Sequence, residues 1–252
     1  MTENVDPKVK DLEQAHFDFI STVSHELRTP LTSIRGFADT LLSSFDRLSP
    51  EQRMKFLNII KDQSNRLINL VENLLTVSKL QSNQEVLVYK TVNVNQYIES
   101  CVQLLKNQYK THKFELNLAS DLPPILIDTD KFQQIMINLT DNAAKYSDDY
   151  SEIKISTNQE TSKNAVMITI QDRGIGISKE NIEKVFTKFS RVDSPLTRKI
   201  QGSGLGLFIT RNLVERMNGK IEVESSTNGS KFTVIFPVSE FGENSIKKIK
   251  EK

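Results

Sequence analysis

From residue 11 to about residue 82 apolar side chains return every third or fourth position, and that pattern alone decides the first architectural unit. Phe19, Val23, Leu27, Leu31, Ile34, Phe37 and Leu41 keep this spacing. It places them on one stripe of a helix and does not fit the every-second-residue rhythm of a strand. A single break falls at Arg47-Leu48-Ser49-Pro50-Glu51. There Ser49 suits an N-cap, Pro50 the first helical position, and Glu51 the positive end of a new helix dipole. The second helix repeats the spacing through Met54, Leu57, Ile60, Leu67, Leu70, Leu74, Val77 and Leu80. Two long helices joined by a short turn form an antiparallel hairpin, which alone leaves one side of its stripe exposed. Pairing with a copy of itself into a dimeric four-helix bundle is the simplest cover, so a homodimer is expected.

The rhythm changes after the polar stretch Gln81 to Glu85. Segments 86–90, 113–118, 125–128, 152–157, 165–171, 220–225 and 231–236 read as strands; Val166, Ile168 and Ile170 alternate clearly, and Asn228-Gly229 marks a hairpin. Helices are expected at 94–110, 130–146 and 205–217. This mixture predicts an α+β two-layer sandwich, with helices on one face of a mixed sheet. The expected organisation is an N-terminal segment at 1–13, the hairpin domain at 14–82, and a linker or hinge at 83–90. A second domain at 91–239 and a solvated tail at 240–252 follow.

At 252 residues the chain has room for two modest cores. Lys and Arg number 33 against 32 Asp and Glu, so no basic field is available for a nucleic-acid backbone. Cys101 has no partner for an intramolecular disulfide and reads as a small buried apolar residue in a reducing compartment. No apolar run reaches the roughly 20 residues that span a bilayer, and residues 1–10 do not resemble a signal peptide. The chain therefore reads as soluble and cytoplasmic, or as the cytoplasmic portion of a longer, membrane-bound protein.

Three places carry possible chemistry. In Ser24-His25-Glu26-Leu27-Arg28-Thr29-Pro30, His25 lies two positions from Val23 and from Leu27 and should point away from the stripe. An exposed imidazole beside a carboxylate is a nucleophile with a base at hand. Thr29 is one turn further on the same face, and Pro30 removes a backbone donor and should kink the helix. On its own this constellation is only suggestive. In the helix 130–146, Asn138, Asn142 and Lys145 are spaced i, i+4, i+7 and share a face that could hold Mg²⁺ and phosphate oxygens, or could equally be a solvated surface.

The strand at 165–171 runs into Asp172-Arg173-Gly174-Ile175-Gly176-Ile177. That arrangement suits a carboxylate accepting from a ligand amino group, with backbone able to come close at the glycines. Gly202-Ser203-Gly204-Leu205-Gly206-Leu207 then opens directly into a helix, where free N–H groups and the helix dipole favour phosphate. It lacks the Lys-Ser/Thr of a P-loop, and no apolar strand precedes it as a dinucleotide fingerprint requires. The charged stretch Ser178 to Gln201, with Phe186, Phe189, Arg191, Arg198 and Lys199, reads as a mobile lid or as a helix followed by a solvated loop.

In this order the segments resemble the sensor histidine kinases of two-component signalling, from about residue 14 to residue 238. Phe19 to Ile34 is similar to the family's H box and is its most specific motif. Asn138 to Tyr146 is similar to the N box, Asp172 to Ile177 to the first glycine box, Phe186 to Phe189 to the F box, and Gly202 to Leu207 to the second glycine box. Phe208 stands where the family often has a small residue, and Arg173 where Asn is frequent.

The resemblance implies roles. His25 would be the phosphoacceptor, Glu26 the group that helps take its proton, and Thr29 the group that orients water against a partner's phosphoaspartate. Asn142 would ligate Mg²⁺, with Asn138 supporting the metal and phosphate region. Asp172, with Gly174, Gly176 and Ile177 around it, would recognise adenine. Lys145, Tyr146 and Arg191 would contact nucleotide, and Gly202, Gly204, Leu205, Gly206 and Leu207 would hold the lid and the phosphates of ATP. The second domain would have the Bergerat fold shared with Hsp90, gyrase B and MutL. The implied activity is ATP-dependent autophosphorylation on His25, then transfer to an aspartate of a response regulator receiver domain, with phosphatase activity toward that regulator also open. The rivals are an ATPase of the same fold, or an ATP-gated dimeric scaffold, without phosphotransfer.

Overall fold

A computed structural model describes residues 7–82, 84, 86–190 and 202–239, without the side chains of 7–16, 18 and 163. The chain divides into two compact units, residues 1–82 and 83–252.

The first unit is a helical hairpin of α1 (Pro7–Ser44) and α2 (Pro50–Gln81), joined through the 3₁₀ turn Phe45–Arg47. The start of α2 is capped as its sequence demands. Ser49 Oγ accepts from the Gln52 N–H at 3.3 Å, and the Gln52 side-chain oxygen accepts from the Ser49 N–H at 2.9 Å. These two bonds satisfy two donors at a helix start that otherwise have no intrahelical acceptor. Leu41, Leu70, Val77 and Leu80 are buried between the helices, and the rings of Phe37 and Phe56 meet at 5.2 Å. α1 runs on through Pro30, which is buried.

Three residues assigned to the packed stripe are not on it. Leu31, Met54 and Leu57 are exposed. On α2 the apolar residues form two stripes. Ile60, Leu67, Leu70, Leu74, Val77 and Leu80 turn inward, whereas Met54 and Leu57 join Ile68, Val71 and Leu75 on an exposed line, roughly 100° further round the helix at its usual turn per residue. A single 3–4 spacing cannot separate two such overlapping lines.

The second unit opens with β1 (Tyr89–Val92), α3 (Asn95–Gln108), β2 (Lys113–Leu118), β3 (Ile125–Asp128) and α4 (Thr129–Lys145). β4 (Glu152–Glu160), β5 (Ala165–Gln171), α5 (Gly206–Arg216), β6 (Lys220–Ser226) and β7 (Gly229–Pro237) complete it. The main sheet has the order β2-β4-β5-β7-β6, parallel only between β2 and β4. β1 and β3 pair separately as a two-stranded sheet. Alternate residues of β4 and β5, among them Ile153, Ile155, Val166, Ile168 and Ile170, are buried with Ile98 of α3, Phe132, Ile135, Met136 and Leu139 of α4, and Leu213 and Val214 of α5. Cys101 belongs to the same core, and burial pushes its thiol up to about 11.

Two local expectations shift. β1 begins at Tyr89 rather than residue 86, because its partner β3 has four residues and ends at Asp128. There the Asp128 carboxylate caps α4, accepting from the Asp130 and Lys131 N–H groups, and also takes the Val88 N–H at 2.8 Å. The β6–β7 hairpin forms, but its loop is Thr227-Asn228, with Ser226 opposite Gly229. Gly229 is thus the first paired residue of β7. It has φ +125°, and a Cβ there would lie 2.2 Å from the Asp172 carbonyl oxygen, so only glycine fits.

Candidate functional site

In the first unit His25 projects from α1 with 76% of its side chain exposed, and its Nδ1 lies 4.0 Å from Glu26 Oε1. Glu26 is much less exposed than His25, at 16%. Its other oxygen, Oε2, is 3.2 Å from Arg66 Nη2 on α2. The carboxylate beside the imidazole is therefore held from the opposite helix. Sequence reasoning missed Arg66, because a pairing across a hairpin leaves no local spacing to read. Thr29 is exposed, and its hydroxyl donates to the His25 carbonyl at 3.2 Å. The next residue, Pro30, has no N–H to offer the carbonyl of Glu26.

The second unit gathers most of the other chosen residues. α4 carries Asn138, Asn142 and Lys145 on one face, while Ile135, Met136 and Leu139 fill the core behind it. Asn138 Nδ2 donates to Thr210 Oγ1 of α5 at 2.7 Å, and Gly206, at the start of α5, lies directly against the Asn138 side chain. The Asn142 amide is half-buried and has no hydrogen-bond partner among the described residues. Lys145 pairs with Asp141, whose second oxygen accepts from Tyr109 at 2.6 Å. Burial and that carboxylate both push the Tyr109 phenol above its usual range. The Tyr146 carbonyl accepts from the Ile175 N–H at 3.1 Å, and Gly174 packs against it.

Asp172 directly follows β5, and its carboxylate is buried. Its Oδ1 accepts from the Gly174 N–H at 2.8 Å and the Ser230 N–H at 3.0 Å. Oδ2 has no partner among the described residues. Burial raises the Asp172 carboxyl above its ordinary value, and the two N–H groups offset part of that rise. Gly176 has φ +69°, and a Cβ there would come within 1.6 Å of the Ser226 carbonyl oxygen, so the loop can press onto β6 only at glycine. Ile177 donates its N–H to Ser225 Oγ at 2.7 Å.

At the other glycine-rich segment, Gly202 faces open space, Gly204 lies against the Phe189 backbone, and Leu205 is buried. Gly206 and the half-buried Leu207 begin α5. Lys188 sits 5.3 Å over the Phe208 ring, so the larger residue is accommodated as a platform for a cation. Arg173 pairs with Glu152 at 3.3 Å. Arg191, Arg198 and Lys199 lie outside the described residues.

These residues fit a nucleotide with a divalent cation. An unpaired buried carboxylate oxygen can take an amino group, a neutral amide oxygen at Asn142 suits a hard cation, and the N-terminus of α5 suits phosphate. Comparison with known proteins supports the nucleotide. The family model of the His Kinase A (phospho-acceptor) domain matches residues 15–83, and that of the histidine kinase-, DNA gyrase B-, and HSP90-like ATPase matches residues 127–240.

The chain is 36% identical over 219 residues to the signal transduction histidine-protein kinase ArlS of Staphylococcus haemolyticus, covering 86% of this chain and 48% of that one. It is 34% identical over 219 residues to the sensor protein kinase WalK of the same organism, covering 86% and 35%. The chain thus spans half or less of the length of these relatives. Among solved structures, histidine kinase ThkA in complex with response regulator protein TrrA matches with a TM-score of 0.68 at 25% identity, over 91% of this chain and 64% of that one. ShkA in complex with AMPPNP matches with a TM-score of 0.63 at 25% identity, over 88% and 46%.

Fold and site together define a phosphoacceptor helical hairpin followed by an ATP-binding sandwich. The chain belongs to the sensor histidine kinases of two-component systems. Among the described residues no helix is long and apolar enough to cross a membrane.

Proposed function

We propose that this chain is the catalytic core of a sensor histidine kinase, which transfers the γ-phosphoryl group of ATP to His25 and then to an aspartate of a response regulator receiver domain. The observation that carries the reading is the solvent-facing His25 beside a carboxylate held by Arg66, in the same chain as the Asp172 loop and the α5 N-terminus. Phosphoryl transfer needs in-line positioning and offset of charge more than covalent work by the protein. Asp172 Oδ2 accepts the adenine amino group. Asn142, aided by Asn138, would hold Mg²⁺, which would offset phosphate charge when bound. Lys145, Tyr146 and Arg191 meet the nucleotide, and the loop from Gly202 to Leu207 cradles phosphates. Glu26 takes the proton from His25 as its other nitrogen attacks phosphorus.

His25 and the nucleotide site belong to different units, so the reaction requires the two to meet, with the linker after residue 82 as hinge. The exposed line of Met54, Leu57, Ile68, Val71 and Leu75 supports a homodimer through a four-helix bundle. The ThkA–TrrA complex and the AMPPNP bound to ShkA support the partner and the nucleotide assigned here. The exposed Thr29, one turn beyond His25, supports phosphatase activity toward the same partner. Incubation with γ-labelled ATP, followed by a panel of receiver domains, tests the reading. Label should appear on this chain and then move rapidly to one receiver domain; absence of label on the chain refutes it.

A further inference from the structure

The loop from Asp172 to Ile177 leaves β5, yet it comes to rest on β6, which is not the neighbour of β5. The sheet order β5-β7-β6 means that the loop must pass the start of β7 to get there. Its first end is secured by backbone: Asp172 N–H donates to the Ser230 carbonyl at 2.9 Å, and Ser230 N–H returns to Asp172 Oδ1. Its far end, beside Ser225, which is registered opposite Ser230, is secured differently. The contact there is a side chain. Ser225 Oγ accepts the Ile177 N–H at 2.7 Å, and lies 3.0 Å from the Gly229 carbonyl and 2.9 Å from Ser230 Oγ. One hydroxyl therefore joins the end of the loop to both strands of the hairpin that also binds Asp172.

We propose that Ser225 is a positioning residue that sets nucleotide base selectivity, by fixing the loop whose Gly174 N–H orients the Asp172 carboxylate. The inference rests on the reading of Asp172 as the adenine contact. Without the hydroxyl, Ile177 loses its acceptor and the loop end is free to lift from β6. Gly174, then held only through the neighbouring Ile175 N–H on the Tyr146 carbonyl, shifts against Asp172 Oδ1, and the carboxylate keeps the Ser230 N–H as its one firm restraint. Adenine offers an amino donor where guanine offers an oxygen, so a carboxylate held in one orientation favours ATP and repels GTP. A loosened one discriminates less.

The test measures dissociation constants for ATP and GTP on the full chain carrying Ser225→Ala, Ser225→Thr, Ser225→Val or Asp172→Asn. Ser225→Ala and Ser225→Val should weaken ATP about tenfold, the size of one lost hydrogen bond, and should shrink the ATP-over-GTP ratio. Ser225→Thr, which keeps the hydroxyl in nearly the volume of Val, should restore it. A merely structural serine would weaken both nucleotides alike, leave the ratio unchanged, and so overturn the inference. If Asp172→Asn alone changes the ratio, the role of Ser225 falls and that of Asp172 stands. An unchanged ratio in every variant removes both.

Discussion

Arg66 on α2 reaches Glu26 on α1 across forty residues of sequence, Nη2 to Oε2 at 3.2 Å, and so restrains the carboxylate that flanks His25. Both side chains are largely withdrawn from solvent, at 23% and 16% exposure, so the pair is less screened than a surface ion pair. Without Arg66 the Glu26 carboxylate is free to swing from the imidazole.

Arg66→Ala should therefore slow labelling of His25 at saturating ATP by about tenfold to a hundredfold, because a hydrogen bond to a charged group contributes ~1.5–3 kcal/mol. ATP affinity should stay at the wild-type value. Initial labelling rates over a range of ATP concentrations check this; an unchanged rate means that Glu26 needs no anchor.

Asp172 should cost stability at neutral pH. Burial raises its pKa in the folded chain. A raised carboxyl contributes stability that is complete only below the unfolded pKa and is lost as pH climbs through the folded one. Asp172→Asn keeps an oxygen for the Gly174 and Ser230 N–H groups and removes the buried charge. It should lose ATP binding and melt at a higher temperature at pH 7, the advantage fading as pH falls through the raised folded pKa and gone below the unfolded value of about 4. Calorimetric melting curves at both pH values decide; a lower melting temperature at pH 7 contradicts the account.

Gly176→Ala should be among the harshest single changes in the second unit. The new methyl meets the Ser226 carbonyl at 1.6 Å and the backbone sits at φ +69°. Left-handed strain and overpacking each cost roughly 1–3 kcal/mol, so the urea midpoint should fall clearly and ATP binding with it. An alanine variant of wild-type stability would show that the loop does not press on β6.

Helix and strand positions were legible wherever one period dominated. The strands 113–118, 125–128 and 165–171 lie where alternation placed them, and Ser49 caps α2 as its neighbours suggested. What escaped was set by contacts between distant segments. The exposed line through Ile68 and Val71 is hidden in sequence by the inward line beside it. Arg66, Ser225 and the Tyr109–Asp141–Lys145 contact belong to no local motif. Asn228-Gly229 marks the hairpin in sequence, but the pairing of Gly229 with Ser226 and its fit against the Asp172 carbonyl make it the first residue of a strand. In each case the residue type was visible and the partner was not.

The exposed line on α2 gives a prediction for assembly. Ile68→Asp with Val71→Asp places two charges on a surface that the proposed four-helix bundle would bury. Light scattering should report a dimer for the wild type and a monomer for the double variant. A wild-type monomer at micromolar concentration would count against the bundle.

The central claim is that phosphoacceptor and nucleotide site are separable parts of one reaction. Parallel measurement of Mg·ATP affinity and of acid-labile label in His25→Gln and Asn142→Ala addresses it most directly. The account predicts that His25→Gln binds Mg·ATP nearly as the wild type does yet takes no label, whereas Asn142→Ala loses both binding and label. Label persisting in His25→Gln would contradict it.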